Sequence, residues 1–126
     1  MEATDLSVLL VDDDPHVHGI FELVMNHHRL PLAVARNAEE ALNYLHTHAP
    51  DVVVLDIFLP GLDGYQALNR IRESALNPNC RVVATTAYYT NDTQQEILRR
   101  GFDGFLAKPF DTKNLVNYLL AVVNRS

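Results

Sequence analysis

The chain has 126 residues, 48% of them apolar, which is enough for one packed core and too few for two. Its formal charge of -6 argues against direct binding to nucleic acid, and its single cysteine, Cys80, excludes an internal disulfide framework. Met1 to Ser7 lacks the basic flank and apolar run of a signal peptide, and no apolar stretch approaches bilayer length, so one soluble, cytoplasmic domain over 1–126 is expected.

A first strand is predicted near Ser7–Val11. Asp14-Pro15 then supplies an N-cap with proline at the first helical position, and Val17, Ile20, Phe21 and Val24 give the spacing of a half-buried helix. Leu32–Ala35 reads as the second strand. Asn37 with Glu40 makes a capping-box pattern, and Ala41, Leu42 and Leu45 supply the buried stripe of the second helix. Val52–Leu55 is the third strand; Asp63-Gly64 is a turn signal, and the third helix begins around Gly64 with Leu68 and Ile71 inward. Arg81–Thr85 is the fourth strand, followed by a helix from about Asn91 to Arg100 whose apolar positions are chiefly Ile97 and Leu98. Gly104–Ala107 is the fifth. The last helix follows Asp111 and is apolar around much of its circumference, at Leu115, Val116, Tyr118, Leu119, Leu120, Val122 and Val123.

Most of the strands are nearly continuous in Val, Leu and Ala, as expected for parallel strands covered on both faces. Alternation of strand and helix implies a parallel sheet with helices on both sides, linked by right-handed crossovers. In such a sheet ligands bind outside the carboxyl ends of the strands, where the strand order reverses. Strand one ends in Asp12-Asp13-Asp14, strand three in Asp56, strand four in Thr85-Thr86 and strand five in Lys108-Pro109. Three carboxylates, a hydroxyl and an ammonium therefore converge on one rim.

Asp12, Asp13 and Asp56 brought together would repel one another unless a cation intervened. Magnesium suits them, with manganese as the alternative, because it needs only one or two carboxylates and keeps its remaining sites for water and a phosphate oxygen. Lys108 would set a second positive charge against phosphoryl oxygens, and the Thr86 hydroxyl could donate to one of them. Aspartate is a nucleophile that forms acyl phosphates, a short-lived linkage suited to signalling.

Blander roles suit other residues. Asp14 is an N-cap, Thr85 is read as a strand residue rather than a second donor, and Cys80 as structural. Arg99-Arg100 ends a helix, where cations are favourable. His16, His18, His27, His28, His46 and His48 are expected towards helix surfaces or ends, without the cysteines of a zinc site.

Val11-Asp12-Asp13-Asp14-Pro15, Leu55-Asp56 through Leu59-Pro60 to Asp63-Gly64, Thr86-Ala87 and Lys108-Pro109-Phe110 follow one another in order, at the ends of the right strands. Over essentially its whole length the chain resembles a receiver domain of a bacterial two-component response regulator, similar to the stand-alone chemotaxis response regulator. The resemblance implies a flavodoxin-like (βα)5 sandwich with a five-stranded parallel sheet of order 2-1-3-4-5. It implies Asp56 as phosphoacceptor, metal ligation by Asp13, Asp56 and the backbone carbonyl of Phe58, and Asp12 acting mainly through water. Lys108-Pro109 would be cis. The phosphoryl donor would be a phosphohistidine on a histidine kinase or phosphotransfer protein. Thr86 would move towards the phosphoryl group and Phe105 would rotate into the vacated space, changing the face of helix four, strand five and helix five. The poorly amphipathic fourth helix and apolar fifth suggest that this face meets an output partner or a second copy of the chain.

Phe58 and Tyr88 are bulkier than the commoner residues at their positions and are expected to crowd an attacking water, giving slow self-hydrolysis. A degenerate receiver that binds proteins without phosphate is the alternative, disfavoured because the acids, Thr86 and Lys108 are all present. A haloacid-dehalogenase-type hydrolase would need an acid where Asp56-Ile57-Phe58 has phenylalanine. A flavin binder would not carry a triply acidic phosphate loop.

Overall fold

The computed structural model describes residues 5–59, 61, 63–87 and 89–125. Its elements run β1 (Val8–Val11), α1 (Pro15–His27), β2 (Leu32–Ala35), α2 (Ala38–Thr47), β3 (Val52–Asp56), α3 (Gly64–Ser74), β4 (Arg81–Thr86), α4 (Asn91–Arg99), β5 (Gly104–Ala107) and α5 (Leu115–Val123). The strands form one parallel sheet of order β2-β1-β3-β4-β5, the predicted topology. Three strand boundaries differ by one residue, as does the end of α4, at Arg99. Ser7 stays out of β1 because its N–H and hydroxyl both donate to Asp51 Oδ2, at 2.8 and 3.0 Å. At the other end Asp56 pairs with Thr85 and Thr86 with Ala107, so β3 and β4 each run one residue further than predicted.

Successive strand residues point to opposite faces, and each face has its own core. Leu9, Val11, Val53, Leu55, Val82 and Ala84 pack under α2, α3 and α4. Val8, Leu10, Val52, Val54 and Val83 pack under α1 and α5 with Phe21, Met25, Leu115 and Leu119. A strand buried on both sides has no polar register to keep, which explains the unbroken apolar run of β3.

The caps at Asp14 and Asn37 follow the sequence signals, whereas the sequence marks Asp63 only as a turn residue and does not single out Thr90. Asp14 accepts from His16 N–H at 2.9 Å, Asn37 from Glu40 N–H at 2.9 Å, Asp63 from Tyr65 N–H at 2.8 Å, and Thr90 from Thr93 N–H at 3.1 Å. The capping box is modified: the Glu40 carboxylate accepts from Arg36 N–H rather than from the cap residue. The apolar circumference of α5 is largely spent inside the molecule. Leu115, Val116, Leu119 and Val122 are buried, and Tyr118, Leu120 and Val123 are half-buried against the same core. Among the described residues no helix is long and apolar enough to cross a membrane.

Candidate phosphoacceptor and metal site

The carboxyl ends of β1, β3, β4 and β5 meet above the sheet, and the order reversal lies between β1 and β3. Asp12 is fully buried and every polar group it carries is engaged. Its N–H continues the ladder to Ala35 O at 3.0 Å, and its Oδ1 accepts from Asp14 N–H at 2.9 Å. Its carbonyl accepts from His18 Nε2 at 2.5 Å. Its Oδ2 accepts from the Lys108 ammonium at 2.9 Å.

Asp56, 9% exposed, takes the same ammonium on Oδ2 at 3.2 Å and Phe58 N–H on Oδ1 at 2.9 Å. Asp13 is exposed at the mouth. Carboxylate oxygens of Asp12, Asp13 and Asp56 lie within 4.8 Å of one another, the only such acid, His and Cys grouping among the described residues. A set of hard oxygen donors at this spacing fits a magnesium-like ion and does not fit a soft one.

Burial by itself would lower the pKa of Lys108. The hydrogen bond and charge of Asp12, followed by those of Asp56, outweigh it and hold the ammonium above the ordinary lysine value. The Lys108-Pro109 peptide is cis, as expected. Gly64, at the start of α3, presses on the loop after Asp56: a Cβ there would stand 2.7 Å from Ile57 Cβ and 2.8 Å from Ile57 Cα. Asp63-Gly64 is thus a cap followed by a close approach.

Thr86 is buried and lies on the α4 side of the sheet, the opposite side from Asp56 by strand alternation. Phe105 is half-buried on that same side, one strand over, with its ring edge-to-face against the exposed Tyr89 at 5.3 Å. Phe58 is 56% exposed on the loop after the acceptor. Tyr88 and Pro60 lie outside the described residues.

Two residues near the pocket were not recognised from the sequence. His18 was expected on the helix surface, but its ring turns inward to hold the Asp12 carbonyl. Its position in the first turn of α1, one turn past the Asp14 cap, was the available signal. Thr85 is fully buried, and its hydroxyl finds no hydrogen-bond partner. The other five histidines are exposed, and Cys80 is buried, its thiol pKa raised chiefly by that burial.

The family model described as "Response regulator receiver domain" matches residues 8–120. This chain belongs to the response regulator receiver family. The receiver is 33% identical over 111 residues to an uncharacterized 14.6 kDa protein of Leptolyngbya boryana, covering 88% of this chain and 85% of that one. It is 38% identical over 114 residues to the response regulator Rre1 of Synechocystis sp., covering 90% of this chain. The receiver spans about half the length of Rre1, 49%. Among solved structures it is similar to the receiver domain of the sensor histidine kinase PA1611 of Pseudomonas aeruginosa, which has a magnesium ion coordinated in its active-site cleft. The TM-score is 0.83 at 25% identity, over 96% of this chain and 99% of that one.

Proposed function

We propose that residues 1–126 form one receiver in which Asp56 accepts a phosphoryl group from a phosphohistidine of a sensor histidine kinase or phosphotransfer protein in the cytoplasm. The observation that carries the reading is the Lys108 ammonium bridging Asp12 and Asp56 beside a third carboxylate, all at the strand ends. In the transfer an Asp56 oxygen attacks phosphorus, the bond from phosphorus to the donor's imidazole nitrogen breaks, and that nitrogen keeps the electron pair. Phe58 N–H fixes one Asp56 oxygen, so the nucleophile is oriented before the donor arrives. Lys108 already lies against the other oxygen and needs to move little to meet charge on the phosphoryl group.

Asp13, Asp56 and the Phe58 carbonyl would hold magnesium, or manganese, with Asp12 acting through water. When bound, the ion neutralises the carboxylates and orients a phosphoryl oxygen. Thr86 would then turn towards the phosphoryl group and Phe105 would follow inward, shifting the α4-β5-α5 face between two states. Because residue 105 is phenylalanine, its inward form buries no hydroxyl.

The test is incubation with a small phosphodonor and magnesium, followed by intact-mass measurement. The parent should gain one phosphoryl group and Asp56→Asn none. A parent that binds neither magnesium nor phosphoryl would instead be a phosphate-independent binding module.

A further inference from the structure

Among the described residues, Thr85 is the one side chain at this rim whose chemistry has no evident use. It stands in β4 between Asp56 on β3 and Leu106 on β5, and strand alternation puts all three on the α1/α5 side of the sheet. Its side chain is fully buried and its hydroxyl has no partner. An unpaired buried hydroxyl costs free energy that valine, of nearly the same shape, would avoid. Val82 and Val83 fill the two faces of the same strand without it. Packing therefore accounts for a β-branched residue at 85 but not for its oxygen.

The nearest polar demand on that face arises at Asp56. In the free protein its two oxygens are served by Phe58 N–H and by Lys108. Phosphorylation removes the carboxylate charge and moves negative charge outward onto the phosphoryl oxygens, where a lysine ammonium is better placed. The acyl carbonyl oxygen left behind is neutral and buried, and beside the magnesium that Asp56 would hold it keeps a second lone pair with which to accept.

We propose that Thr85 is a positioning residue of the phosphorylated state. Its hydroxyl is unpaired in the free receiver and donates to the Asp56 side-chain carbonyl once that residue is phosphorylated, after rotation between staggered χ1 wells. The role is distinct from that of Thr86, on the other side of the sheet, and it rests on Asp56 being the acceptor. A hydrogen bond made in one state only biases the equilibrium towards that state.

The experiment is thermal unfolding of the parent, Thr85→Val and Thr85→Ser, each with magnesium alone and with magnesium plus beryllofluoride as the acyl-phosphate mimic. Beryllofluoride affinity is taken from the concentration dependence of Tm. Thr85→Val should raise the Tm of the free protein and weaken beryllofluoride binding about fivefold, the worth of one ordinary hydrogen bond. Thr85→Ser should keep the parent affinity. Unchanged affinity in Thr85→Val would show the hydroxyl idle, and a lowered free-state Tm would show that it already has a partner; either overturns the proposal. Equal loss in Thr85→Ser would assign the effect to the methyl group and overturn it as well. A folded parent that ignores beryllofluoride would remove the Asp56 assignment itself, and the inference with it.

Discussion

Asp12 is wholly buried and Asp56 nearly so, and the ammonium of Lys108 is the positive charge that lies on both. Its pKa is raised above 10.5, so the folded state holds this proton more tightly than the unfolded chain. The resulting stabilisation is complete below the unfolded lysine pKa and is lost only as pH rises through the folded one. Urea unfolding should therefore show a loss of stability in strongly alkaline solution that Lys108→Met lacks. At neutral pH that variant should be less stable by roughly 2–3 kcal/mol, allowing for partial solvent screening of the lysine, and magnesium should recover part of the loss. Unaltered stability in Lys108→Met would mean that the two carboxylates do not need the ammonium. We also propose that the bulk of the residues at positions 58 and 88 lengthens the phosphoryl lifetime. Phe58→Asn and Tyr88→Glu should each shorten it several-fold by admitting water, and lifetimes equal to the parent's would sink that idea. The rim acids, Thr86 and Lys108 were legible because each ends an apolar strand, where a polar residue stands out. His18 and Thr85 were not: one is a histidine in a helix, the other a threonine in a strand, and only tertiary neighbours give either a role.

The same limit governs the elements. All ten were visible in the sequence, because a strand covered on both faces and a capped amphipathic helix leave different periodicities. What periodicity does not reveal is how an element's edge is finished. On β5, one of the two edge strands, Phe105 N–H donates to the Tyr118 hydroxyl of α5 at 2.7 Å. Gly104 makes this approach feasible, since a Cβ there would lie 2.6 Å from that hydroxyl. The apolar count of α5 suggested an exposed surface, but Tyr118, Leu120 and Val123 are turned back onto the core and edge. Tyr118→Phe should cost about 0.5–1.5 kcal/mol and speed amide exchange at Phe105. Gly104→Ala should cost more, because either the strand or the tyrosine must move. Exchange at Phe105 unchanged in Tyr118→Phe would show that the hydroxyl does not hold the edge.

Across the whole molecule, the site and the α4-β5-α5 face share β4 and β5, so a change at Thr86 and Phe105 has a short path outward. Leu98 and Tyr89 are exposed there, at 48% and 46%, and supply apolar contact that the receiver's own core does not use. Sedimentation with magnesium and beryllofluoride should reveal self-association, or amide signals on that face should shift; neither change would rule the face out as the output. These consequences all depend on which carboxylate is phosphorylated. The most direct measurement is borohydride trapping after incubation with a small phosphodonor and magnesium, since hydride reduces an aspartyl phosphate to homoserine and marks the residue. Peptide mapping should find homoserine at position 56 alone. Homoserine at position 12 or 13, or none despite a phosphoryl adduct on the intact protein, would contradict the assignment of Asp56.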